Sequence, residues 1–110
     1  MTHQEYVQNR RNEIVAVSHL LRENKIDFLI AIRRLACLKH EVSEDGFDEE
    51  FTIFVLMEDD TDHMPEEDLR NICSKDWLDR CDRELNEIKE YYSSEISEGC
   101  RKLIKRFAPT

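Results

Sequence analysis

Residues 47–58 read FDEEFTIFVLME, and the architecture turns on whether they form a strand or a helix. Phe51, Thr52, Ile53, Phe54, Val55 and Leu56 all have high strand propensity. A strand here would stand alone, because no other stretch offers it a partner, and an unpaired edge is a liability. As a helix, the segment places Phe47, Phe51, Phe54 and Val55 at i, i+4, i+7 and i+8, on one face. Asp48, Glu49 and Glu50 would then lie at the helix start, where the dipole favours acids. Helix is the preferred reading, strand its alternative, and the helical reading makes the whole chain all-α.

The flanking sequence agrees. Thr2 and Glu5 form a T-x-x-E capping box, which opens a helix from His3 to about Arg22 with Ile14, Val17 and Leu21 inward. Asn24 reads as the cap of a second helix, Lys25 to about His40. Its Ile26, Phe28, Leu29, Ile30, Ile32, Leu35 and Leu38 wrap most of the circumference, which suits the centre of a bundle. Pro65 suits the first turn of a short helix ending near Cys73. Ser74 caps the last and longest helix, Lys75 to about Arg106. Along it Trp77, Cys81, Leu85, Ile88, Tyr92, Ile96, Leu103 and Phe107 form one stripe. Gly99 weakens that helix by about 1 kcal/mol relative to Ala and marks a place for a kink. The expected architecture is a single helical domain over residues 1–110. It is a bundle of about five helices, the long C-terminal one packed on the central apolar one, with Trp77, Leu85 and Ile88 largely buried.

Composition narrows the function. A chain of 110 residues leaves no room for a separate catalytic domain, yet 29 of them are Ile, Leu, Val or Phe, enough for a core. Two glycines and two prolines argue against a turn-rich sandwich or barrel. The longest apolar runs, Phe28 to Ile32 and Ile53 to Met57, are five residues each, too short to span a bilayer. Four cysteines without a secretory leader read as reduced thiols of a cytoplasmic protein. A formal net charge of −9 makes bare nucleic acid and anionic membranes poor partners.

That charge is concentrated. From Glu41 to Asp68 there are thirteen acids and neither Lys nor Arg. The rest of the chain holds twelve acids and sixteen bases, so the whole negative excess belongs to its middle quarter.

No pattern in the chain specifies catalysis or a cofactor. Glu58, Asp59, Asp60, Asp62 and His63 crowd together, but counted from Asp60 as an EF-hand the sixth position is Pro65 and the twelfth Asn71, where Gly and Glu are needed. Cys37, Cys73, Cys81 and Cys100 are 36, 8 and 19 positions apart, which lacks the close pair of a zinc ribbon. They read as small buried hydrophobes. His40 beside Glu41 and His63 beside Asp62 are candidate acid–base pairs, yet adjacent helical residues do not face each other. Phosphate loops, nucleophile elbows and H-E-x-x-H are absent. The basic residues Arg101, Lys102, Lys105 and Arg106 complement the negative end of the last helix and satisfy acids elsewhere in the fold. The expectation is therefore no enzyme, no metal and no cofactor.

What remains is the acidic block. Like charges held this close cost stability, and a cationic partner supplies a reason to tolerate the cost. The expected partner-binding residues are Glu44, Asp45, Phe47, Asp48, Glu49, Asp59, Asp60 and Asp62, with Phe47 as an aromatic anchor. In size, charge and helical character the whole chain resembles bacterial immunity proteins, the antidotes to toxins of bacteriocin and contact-dependent growth inhibition systems. The Glu41–Asp68 block carries that resemblance. It implies a cytoplasmic 1:1 complex with a cognate basic toxin domain, a nuclease, whose cationic substrate groove an anionic patch can fill. The alternatives are an acidic mimic of nucleic acid, a helical regulatory adaptor without a toxin partner, and an enzyme built on Asp62/His63 or His40/Glu41.

Overall fold

The computed structural model describes residues 1–43 and 48–109. It is all-α: among the described residues there are five α-helices, two 3-10 turns and no strand. Helix α1 spans His3–Arg22, and the Oγ1 of Thr2 accepts a hydrogen bond from the Glu5 amide at 3.1 Å, as its capping box requires. Asn24 does not open the second helix. It ends the first one, at φ 57°, in a left-handed conformation that Asn tolerates. Around it the Lys25 amide donates to the Leu20 carbonyl and the Asn24 amide to the Leu21 carbonyl, closing the last turn. Asp27 caps instead, accepting from the Ile30 amide, and α2 runs Phe28–Val42.

The stretch that decides the architecture is helical. Asp48 accepts from the Glu50 amide and caps a 3-10 turn, Glu49–Phe51, which leads into α3, Thr52–Asp60. Phe51, Phe54 and Met57 turn inward and are fully buried, so burial outweighs their strand propensity. A second 3-10 turn, Glu67–Ile72, precedes α4, Lys75–Tyr91, whose cap is Ser74 accepting from the Trp77 amide.

The expected single long helix is divided. At Tyr92 the backbone leaves helical geometry (φ −101°, ψ 11°), and α5 starts anew over Ser93–Phe107. Ser93 and Ser94 hold a helix poorly, which accounts for a break there. Gly99 is buried inside α5. A Cβ on Gly99 would stand 2.9 Å from Ile53 Cγ2 and 3.1 Å from the tip of Phe54, so the missing side chain lets α3 lie directly on α5.

Helix α1 packs on both α2 and α5, and α3 lies between α2 and α5. The core joins Ile14, Val17 and Leu21 of α1 to Ile32, Leu35 and Leu38 of α2 and to Ile96, Cys100, Leu103 and Phe107 of α5. The rings of Phe51 and Phe107 meet at 6.1 Å. Helix α2 is less central than its composition implies, with Ile30 and Cys37 exposed. Helix α4 lies at the edge, reaching the others mainly through α5. Trp77, Leu85 and Ile88 are accordingly only half-buried, because the stripe they belong to bends away at Tyr92.

Two truncations separate these halves. Leu103→Ala, at a fully buried site, should cost about 2–5 kcal/mol in urea unfolding. Leu85→Ala should cost about 1 kcal/mol, since part of that side chain already meets water.

Candidate functional site

The fold sorts the acidic block into carboxylates it uses and carboxylates it leaves open. Asp48 belongs to the first group. Its side chain is only 10 % exposed, and it accepts from the Ser43 hydroxyl and, at 2.9 Å, from Arg106 Nη1. Burial pushes the Asp48 carboxyl up, but Arg106 and Ser43 together hold it below the usual range. The same Arg106 nitrogen reaches Glu50 at 3.1 Å, and Glu41 accepts from the Tyr6 hydroxyl at 2.9 Å. Asp48 is thus a fastening inside the fold rather than a free docking group.

Arg33 shapes the loop that follows α3. Its Nη2 donates to the carbonyls of Thr61 at 3.2 Å and Met64 at 2.8 Å, while Nη1 lies 4.0 Å from Glu66. Buried Met64 and the Thr61 hydroxyl, which donates to the Met57 carbonyl, hold the loop from beneath. On the far side His63 Nε2 stands 3.1 Å from Glu84 and its ring meets Trp77 edge-on at 5.9 Å, so the loop leans on α4.

Asp59 and Asp60 end α3 and Asp62 follows in this clamped loop; all three are exposed, and none pairs with a base among the described residues. Asp60 borders an open cleft of about 450 Å³ whose other wall is α4, with Glu84, Glu87, Ile88, Tyr91 and Tyr92. Tyr91 is 78 % exposed, its ring edge-on to Tyr92 at 4.7 Å. Three carboxylates, one of them met by His63, and an exposed phenol therefore border a space that no Lys or Arg lines among the described residues. Such a cleft suits a guanidinium or ammonium group, which Tyr faces and carboxylates both attract.

The expected site residues divide accordingly. Asp60 borders the cleft, and Asp59 and Asp62 are exposed close to it in sequence without lining it. Asp48 is engaged internally. Glu49 is exposed but lies elsewhere, beside Arg101, Lys102 and Lys105. Glu44, Asp45 and Phe47 fall outside the described residues. Phe51, Phe54 and Met64, the apolar residues interleaved with the acids, are core. Sequence reasoning missed Glu84, Glu87 and Tyr91, although their spacing of i, i+3 and i+7 already puts them on one helical face.

Among the described residues no set of three His, Cys, Asp or Glu is arranged to hold a metal ion. Burial pushes the Cys100 thiol up to about 11 and raises Cys81, which disfavours both thiolates. Cys37 is exposed and Cys73 half-buried, contrary to their reading as core residues. No described helix is long and apolar enough to cross a membrane. No known protein family, curated protein or solved structure matches the chain.

The Arg106–Asp48 pair has a pH signature. A depressed carboxyl contributes stability that is present above its unfolded pKa and is lost as pH falls through its folded one. Arg106→Gln should therefore lower unfolding free energy at pH 7 by about 1 kcal/mol, with little difference from wild type at pH 2. Urea titrations at both pH values read this. Arg33→Ala should cost about 1.5–3 kcal/mol and speed amide exchange in residues 61–64, with unchanged helical circular dichroism.

Proposed function

We propose that the protein is an immunity protein that binds a basic toxin domain, of nuclease type, in a 1:1 cytoplasmic complex and neutralises it without catalysis. One observation carries this reading. The fold spends Asp48, Glu50, Glu66 and Glu41 on internal contacts, while Asp59, Asp60 and Asp62 pair with no described base, and Asp60 borders a cleft whose other wall carries Glu84, which meets His63, together with Glu87 and Tyr91. Holding open carboxylates side by side on a clamped loop is unfavourable for an isolated domain, and a cationic partner reverses the sign of that term. Tyrosine at the centre of a charged rim is the composition of an interface anchor.

The partner's cationic groove, built for a polyanionic substrate, is the complementary surface, and its arginines are the groups the cleft takes. Complementary fields speed the encounter, and desolvated pairs at the cleft slow dissociation. Contact-dependent growth inhibition and bacteriocin systems supply toxins of this kind.

Protection of cells expressing a nuclease toxin encoded beside this gene tests the reading. Wild type should protect, as should a variant with Arg101 and Lys102 changed to Gln. Variants with Asp59, Asp60 and Asp62 changed to Asn, or Glu84 and Glu87 changed to Gln, should need at least tenfold more protein for equal survival. Full protection by both acidic variants, with failure of the basic one, would place the interface on the opposite face.

A further inference from the structure

A second concavity, about 790 Å³ and open to solvent, runs between α3 and α5. Its floor is apolar. Gly99 lets Ile53 rest against α5, and one turn further along α3 Leu56 is left 40 % exposed. Its rim is acidic at the end where α5 begins: Glu95 is exposed and makes no ion pair among the described residues. Ile53, Leu56 and Asp60 fall at i, i+3 and i+7, a single stripe of α3 about 10 Å long. Asp60 is also the residue that borders the cleft with Tyr91. The two concavities share no lining residue, but Leu56 and Ser94 border the first and Asp60 and Tyr91 the second, about one helical turn apart in sequence on either side.

We infer that these two neighbouring concavities together act as one valley, which seats a basic amphipathic helical segment of the partner. Its apolar side chains cover Ile53 and Leu56, and a Lys or Arg about two turns on reaches Asp60 and Tyr91. Charge and polarity select this occupant together. A uniformly cationic segment would leave Leu56 in water, and an acidic or purely apolar one would meet Glu95 and Asp60 unfavourably. Apolar anchors at helical spacing with flanking charge are how a helix binds in a groove. The identity of the partner rests on the function proposed above, but the chemistry of the segment does not.

Fluorescence polarisation of labelled peptides with the full chain tests the inference. The first probe is a helical peptide with two Leu at i and i+4, followed two turns on by two Arg. The second replaces both Leu with Ser, and the third replaces both Arg with Glu. The first should bind at least tenfold tighter than either other. Leu56→Arg, at a partly exposed position, should remove that tenfold advantage while leaving the second probe unchanged and circular dichroism intact. Asp60→Asn with Tyr91→Ala should weaken the first and second probes alike. Equal binding of the first two probes, no binding of the first, or no effect of Leu56→Arg overturns the inference. So does a wild-type dimer that Leu56→Arg makes monomeric, because a second copy would then fill the valley. Cell protection that needs Asp60 but not Leu56 would also overturn it while leaving the toxin reading standing. The peptide result without any cell protection would uphold the valley and remove the toxin.

Discussion

Arg106, in the last turn of α5, holds Asp48 and Glu50 from the segment that leads into α3, and the placement of α3 follows from that grip. The fork joins the end of one helix to the start of another more than fifty residues earlier, so α3 runs antiparallel to α5. Phe51 then meets Phe107, Ile53 and Phe54 meet Gly99, and Asp60 emerges beside Tyr91 and Tyr92. A nine-residue helix is rigid on this scale, so an anchor at its start also aims its end.

The distribution of charge follows the same geometry. Carboxylates at the start of α3 and in α2 are close enough to bases or hydroxyls to be satisfied. Asp60, at the end of α3, faces α4, whose charged residues at that point are themselves the acids Glu84 and Glu87. Arg33 grips the loop by its carbonyls and not by its aspartates. The loop is therefore ordered without being neutralised. Rigid, unneutralised carboxylates lose little entropy when a cation arrives, which favours tight and slowly released pairing.

Much of the fold was legible in the sequence, and the exceptions have physical causes. Thr2, Ser74 and, from the expected Phe47–Phe51–Phe54–Val55 face, the buried Phe51 and Phe54 specified their helices, because capping chemistry and burial are local or nearly so. Val55 is only half-buried and Phe47 lies outside the described residues. The division of the last helix at Tyr92 was not legible, since the apolar stripe keeps its spacing straight through the break. Asn24 misled because Asn serves both ends of a helix, and the tertiary turn between α1 and α2 chose the C-terminal role. At the site, Asp59, Asp60 and Asp62 were found as a run of like charge. Asp48 was grouped with them because Arg106 lies far away in sequence. Glu84, Glu87 and Tyr91 drew no attention in the sequence, and only the approach of α3 gives their face a counterpart.

The central claim is that the cleft between the loop after α3 and the end of α4 is where a basic toxin domain binds. Amide hydrogen exchange of the protein, free and in complex with that toxin domain, reads it directly. The account predicts slowed exchange in residues 59–63 and 84–92, with α1 unchanged. Protection confined to α1 or to the α5 cluster Arg101–Arg106, with the cleft unaffected, would contradict it.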